Sequence, residues 1–360
     1  MVSFGSATRA MLAGVVVTML AVACGSSATT SDGTDVGKGA LTGAGSTFDN
    51  PLFSKAFYDY TAQHSDVTVN YQSVGSGAGI QQFIKNTVDF GATDVPMGTT
   101  DIQSAGGSDK LTQIPVTLGV VAIAYNLRGV STLNLDAATL SGIFLGHITK
   151  WNDPAITALN SGATMPSTKI TVAHRSDGSG TSYIFTDYLS KVSDEWKSSV
   201  GVGKSVKWPV GVGGSGNQAV AQAITSTAGA IGYVELSYAV QTNMPTAKLK
   251  NADGQSVAPS ATGATAAAAQ NTSLSPTNFS IVNEPGASTY PIAGFSWVVL
   301  RTSYDDKDKG KAIVYLMRWL VTDGQTEGTS LQYAPLPPSV QQLALANLKL
   351  IKAGGSTVLS

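Results

Sequence analysis

From Leu41 onward the chain alternates short apolar runs with stretches of helical periodicity, a pattern that fits few folds other than an α/β sheet covered by helices. Apolar runs at 67–71, 118–125, 170–174, 231–234 and 297–300 read as strands. The segment 52–63 carries Phe53, Ala56, Phe57 and Tyr60 at i, i+3, i+4 and i+7, the mark of one helix face. The same spacing places Ile80, Phe83 and Ile84 on a helix over 80–87, and Phe185, Tyr188, Leu189 and Val192 on one over 183–192. A C-terminal helix is expected over 339–351. Residues 251–278, rich in Ala, Ser, Thr and Gly, read as a surface excursion with a short helix near 264–270. No internal repeat is present, which excludes solenoids and propellers.

At 360 residues the chain can form about two domains. Hydrophobic residues make up 42 % and charged residues 12 %, so there is ample material for a core and disorder is excluded. The balance of 22 basic against 23 acidic side chains gives a net charge of −1, which argues against a nucleic-acid partner. A single cysteine, Cys24, rules out an internal disulfide or a cysteine-built metal site. His64, His147 and His174 share no ligand spacing, and no serine stands in a G-x-S-x-G frame, so hydrolase chemistry has little to rest on. Gly203-Lys204-Ser205 lacks a P-loop because Ser198 stands where the first glycine belongs. Gly43-Ala44-Gly45 lacks the third glycine of a dinucleotide fingerprint.

The N-terminus reads as an address. Arg9 precedes a small and apolar run, Ala10 to Ala23, broken only by Thr18. It is shorter than the roughly 20 residues a membrane-spanning helix needs. It fits a signal peptide over residues 1–23. Leu20-Ala21-Val22-Ala23-Cys24 approximates a lipobox, with the leucine one place early, and marks Cys24 as a lipidation site. A plain signal peptide with an incidental cysteine is the alternative. Residues 24–40 then form a polar, flexible linker.

Three glycine–hydroxyl loops each precede a helical segment: Thr42 to Phe48, Gly75 to Gly79, and Asp177 to Ser182. A helix start presents unpaired N–H groups and about half a positive charge, and glycine lets a ligand approach the backbone. Such loops suit an oxyanion, although Ser and Thr are also ordinary helix caps. Arg175 offers a planar fork to an anion, and Asp177 could hold that fork; a surface ion pair is the other reading. Asp94 follows an apolar stretch, where an acid commonly forms a turn. A fourth glycine-rich loop, 211–216, reads as packing or capping. The tryptophans, Trp151 among them, read as core or surface residues without a ligand role.

GAGSTF (43–48), YQSVGSGAG (71–79), NTVDFGATDVP (86–96), HRSDGSGTS (174–182), KWPVGVGGSGNQAV (207–220) and GAIGYVE (229–235) together resemble the phosphate-binding proteins of bacterial phosphate ABC transporters. The resemblance covers 41–360 and is weakest across 251–283. It implies a two-lobed periplasmic-binding-protein fold of type II, mixed sheets flanked by helices, with lobe I formed by 41–122 plus 293–360 and lobe II by 123–292. A buried phosphate would lie between the lobes, with no cofactor and no metal. Ser46, Thr47, Phe48, Ser76, Ser179, Gly180 and Thr181 match the positions that donate to phosphate. Arg175 matches the guanidinium contact, Asp177 the carboxylate that orients it, and Asp94 the carboxylate that accepts the ligand's proton. The implied partners are inorganic phosphate and the transporter's permease subunits, for a monomer tethered outside the cytoplasm by lipid on Cys24.

Overall fold

The computed structural model describes residues Asp35–Ser360. The signal segment 1–23, the lipidation site Cys24 and the linker up to residue 34 lie outside the described residues.

Eight strands, labelled in chain order, build the main sheet: β1 (Gly39–Gly45), β2 (Val67–Ser73), β3 (Phe90–Thr93), β4 (Leu111–Tyr125), β5 (Thr171–Arg175), β6 (Val212–Gly214), β7 (Ala230–Glu235) and β8 (Ala293–Arg301). Their spatial order is β2-β1-β3-β8-β4-β7-β5-β6. β1 pairs parallel with β2 and β3, and β5 pairs parallel with β7 and β6. Between these parallel trios, β8 and β4 run antiparallel to each other and to their outer neighbours. The sheet is mixed α/β, as the alternation predicts.

β4 is the member that joins the two trios. Every one of its 15 residues is buried. Residues from Leu111 to Val120 pair with β8 along one edge, and Val121 to Tyr125 pair with β7 along the other. The apolar run read as a strand starts at 118, whereas β4 begins at Leu111 and passes through Pro115, which has no N–H for a ladder. The structure tolerates that proline by a register shift between Ser296 and Trp297, with Trp297 opposite Pro115.

Helices follow the parallel strands. α1 (Asn50–Gln63) buries Leu52, Phe53, Ala56, Phe57 and Tyr60, the face that the spacing predicts. α2 (Ser76–Ile84) starts earlier than the apolar spacing indicates and stops short of 87, where Asn86 takes a left-handed φ of 55°. α3 (Gly180–Val192) likewise extends its predicted segment backward into the polar loop. α4 (Gly216–Ser226) follows β6. The C-terminal helix is Pro338–Leu348. No helix among the described residues is long and apolar enough to cross a membrane.

The expected surface excursion over 251–278 is corrected in part. The helix Ala261–Ala268 buries Ala264, Ala267 and Ala268, a helical face of small side chains that joins the main core. Alanine contributes to burial as well as to flexible composition, and composition alone hid that face. Trp151 is fully buried, its Nε1 donating to the Gly229 carbonyl at 3.0 Å, in keeping with a packing role.

Candidate functional site

The site lies beyond the carboxyl ends of β1, β2, β3, β5 and β6, where the loops into α1, α2, α3 and α4 meet. In open α/β sheets this is the position where helix starts can converge on a ligand. Convergence was what the sequence could not supply, and the hydrogen bonds supply it.

Asp94, just past the end of β3, is 1 % exposed and lies at the centre. The Ser46 hydroxyl donates to its Oδ1, the Ser296 hydroxyl donates to the same atom at 2.9 Å, and Thr181 Oγ1 lies 3.5 Å from Oδ2. Its backbone N–H points to Ser76 Oγ at 3.4 Å, and Gly180 N–H donates to that same hydroxyl at 3.1 Å. Ser46, Ser76, Asp94, Gly180 and Thr181, drawn from four loops, therefore form one connected group. Ser46, Thr47, Phe48, Ser76, Arg175, Ser179 and Thr181 are all buried as well.

Arg175 ends β5 with its side chain 1 % exposed. Its Nε and Nη2 donate to the two carboxylate oxygens of Asp177 at 2.7 and 2.5 Å, a bidentate pairing that fixes the guanidinium plane. Nη1 is left pointing at Thr181 Oγ1, 3.4 Å away. This is no surface pair, since burial removes the solvent that would screen it. Asp177 also accepts from Gly216 N–H at 3.0 Å. Burial alone would lift the Asp177 carboxyl, but the Arg175 bonds and charge hold it below the usual carboxylate range.

Hydroxyls at the helix starts have divided duties. Ser179 Oγ accepts from Ser182 N–H at 3.0 Å and caps α3, which leaves its own proton free to donate. Ser46 Oγ accepts from Phe48 N–H at 3.0 Å. Thr47 is held by Tyr238, whose hydroxyl donates to its carbonyl at 2.7 Å. Gly180 lies against Asp94 so closely that a Cβ there would come 2.5 Å from the Asp94 Cβ and Oδ2. Glycine is required at that position by the close approach.

Burial pushes the Asp94 carboxyl up to about 6; hydrogen bonds from Ser46 and Ser296, the Arg175 charge and the Thr181 hydroxyl limit the rise. At neutral pH it is therefore mostly ionised. Two further acids lie close by. Asp49 is fully buried, and desolvation, with the charges of Asp94 and Glu235, lifts it well above the usual range. Glu235, at the end of β7, is pushed by burial up to about 8.

The loop 211–216, read as packing or capping, leads into the start of α4. It delivers Asn217, whose Nδ2 donates to Thr47 Oγ1 at 2.9 Å and to Thr181 Oγ1 at 3.2 Å. Asn217 and Ser296 join the site, and Asp49 and Glu235 border it; the sequence reading singled out none of the four. A signal existed for two of them. Ser296 is a lone hydroxyl inside an otherwise apolar strand, and Glu235 is an acid closing an apolar run.

The family model of the PBP superfamily domain matches residues 26–323. The chain is 43 % identical over 304 residues to the phosphate-binding protein PstS of Xylella fastidiosa, covering 83 % of this chain and 82 % of that one. It is 34 % identical to the phosphate-binding protein PstS 2 of Mycobacterium tuberculosis, covering 96 % of this chain and 98 % of that one. The crystal structure of a phosphate-binding protein from Stenotrophomonas maltophilia shares the fold at a TM-score of 0.61 and 22 % identity, over 86 % of this chain and 93 % of the other. The family model and the relatives lead to one assignment: this chain belongs to the PBP superfamily, and within it to the family of the phosphate-binding PstS proteins.

Proposed function

We propose that this chain is an extracytoplasmic receptor that encloses one inorganic phosphate ion and hands it to the permease of an ABC transporter. The observation that carries this reading is the meeting of four helix starts around a single ionised acid, Asp94. Among the described residues the one guanidinium in reach, Arg175, has its charge matched by Asp177. The site thus attracts an anion mainly through neutral hydroxyl and backbone donors, with Ser46, Thr47, Phe48, Ser76, Ser179, Gly180 and Thr181 as the contacts and Arg175 as the charged one.

Selectivity follows from the acid. Phosphate at neutral pH keeps at least one proton, which Asp94 can accept; sulfate has none to offer. Two unit charges about 4 Å apart at an effective dielectric near 20 repel by roughly 4 kcal/mol, about three decades in affinity. Rejection is built as repulsion.

The chain acts by binding, not by turnover. Its relatives bear the names of binding proteins. The histidines serve elsewhere: His174 stacks on Trp208 at 4.8 Å, His64 packs on Tyr60, and His147 meets Glu195 at 2.7 Å on the exterior. Lobes formed by 41–122 plus 293–360 and by 123–292 would open and close about the point where β4 changes partners, between Val120 and Val121. Lipid on Cys24 would tether the monomer to the membrane.

Isothermal titration of phosphate-stripped protein with phosphate, sulfate and arsenate tests the reading. Phosphate and arsenate should bind and sulfate should not, and Asp94→Asn should narrow the gap. Failure of phosphate to bind, or unchanged sulfate rejection in that variant, would refute it.

A further inference from the structure

The geometry around Ser296 demands one more proton than its hydroxyl can supply. Ser296 Oγ lies 2.7 Å from Asp49 Oδ2 and 2.9 Å from Asp94 Oδ1, both ordinary lengths for O–H···O bonds. Its third neighbour, the Thr93 carbonyl at 3.3 Å, can only accept. A serine has one hydroxyl proton. If both carboxyls were ionised, one short contact would set lone pair against lone pair. Ser46 cannot relieve this, because its own proton goes to Asp94 while its oxygen accepts from Phe48 N–H and Asp49 N–H.

The surroundings say which acid holds the extra proton. Asp94 has three hydroxyls around it and feels the positive charge of Arg175. Among the described residues Asp49 has Ser296 as its one side-chain hydrogen-bond partner, and its Oδ1 has no protein partner. It occupies the N-cap position of α1 without capping the helix, turned away from the N–H groups an ionised carboxylate would seek. The ionisable groups that face it are Asp94, Glu235, Tyr71, Tyr238 and Tyr333, none of them a cation.

We propose that Asp49 is a proton-holding acid that donates through Oδ2 to Ser296, so that the Ser296 proton is committed to Asp94 and Asp94 remains the ionised group that examines the ligand. Asp49 is thus a positioning residue for specificity, and this inference rests on the phosphate reading above. When Asp49 ionises at alkaline pH, the Ser296 proton is contested and a second negative charge appears beside the anion, so phosphate affinity falls.

Asp49→Asn tests the inference, since an amide Nδ2 can donate to Ser296 as the acid does. Phosphate titrations of wild type and variant across pH should agree within about threefold at neutral pH, with sulfate still rejected. The wild type should weaken more steeply at alkaline pH than the variant, which keeps only the part that Glu235 contributes. Infrared difference spectra of unliganded protein, wild type minus variant, should contain the C=O stretch of one protonated carboxylic acid at neutral pH. Phosphate binding tightened about tenfold or more by the substitution at neutral pH would mean an ionised Asp49 and overturn the inference, as would an absent band. If the variant does not fold, the wild-type pH profile decides: affinity unchanged into the alkaline range overturns the inference. Wild type that binds no phosphate refutes the function itself, a result separate from these.

Discussion

Asn217 clasps Thr47 twice, its backbone N–H and its side-chain Nδ2 both donating to Thr47 Oγ1, at 3.1 and 2.9 Å. Thr47 belongs to the loop after β1 and Asn217 to the start of α4, so one amide ties opposite halves of the sheet together. Its Oδ1 meanwhile accepts from Glu235 N–H at 3.0 Å. Asn217→Ala removes all three side-chain bonds in a fully buried setting. The groups left unpaired cost about 1–3 kcal/mol, so phosphate affinity should drop roughly ten- to a hundredfold by calorimetry, with circular dichroism unchanged. Asn217→Asp should be worse, because it adds a carboxylate beside the anion. Wild-type affinity in the alanine variant would remove Asn217 from the site.

Arg175→Lys separates geometry from charge. The guanidinium spends two nitrogens on Asp177 and still aims a third at Thr181. A lysine ammonium is a point charge on a flexible stem and cannot do both. With charge conserved, the expected loss of phosphate affinity is about tenfold or more, the value of a charge-assisted bidentate pair of about 1.5–3 kcal/mol. Equal affinity for phosphate in the lysine variant would show that only charge matters there.

Much of this was legible in the residues, and what was not has identifiable causes. Helix faces such as Phe53, Ala56, Phe57 and Tyr60 were readable because burial imposes a period. The three glycine–hydroxyl loops were visible, but their convergence on Asp94 depends on strand order, which no local pattern encodes. Asn217 escaped because a glycine-rich loop before a helix has the same sequence whether it caps or reaches across a sheet. Asp49 escaped because Asp at a helix start is ordinary, and only the three-dimensional placement of Ser296 gives it a different partner. β4 starts seven residues before the apolar run that marked it, and its register with β8 shifts where it passes Pro115.

Glu235 makes the unliganded protein sensitive to alkali. Burial raises its carboxyl from 4.5 to about 8, so the folded state favours the neutral acid more than the unfolded state does. Its contribution is fully present below pH 4.5 and is lost as pH rises toward 8. Thermal unfolding of phosphate-free protein should therefore show a melting temperature that declines across that interval. Glu235→Gln stays neutral throughout and should lessen the decline up to pH 8, leaving the remainder to Asp94, pushed up to about 6, and to Asp49, which burial also raises. A glutamine variant that follows the wild-type curve through pH 8 would show that Glu235 is not the titrating group.

Gly180→Ala sets two physical effects against each other. At the first position of α3, alanine is the better helix former, and propensity alone favours the substitution by about 0.5–1 kcal/mol. The new methyl group, however, would stand 2.5 Å from both Cβ and Oδ2 of Asp94 and 2.7 Å from its Cγ. Asp94 is fixed by Ser46 and Ser296 and cannot yield without breaking those bonds. Overpacking of this kind costs about 1–3 kcal/mol, so the clash outweighs the propensity gain. Because the displaced group is the acid proposed to accept the ligand's proton, the loss should fall on binding more than on stability. Calorimetry should give roughly ten- to a hundredfold weaker phosphate binding, beside a melting temperature within a few degrees of wild type. A variant that binds phosphate as tightly as wild type would mean that Asp94 can shift freely, and that its placement does not govern recognition.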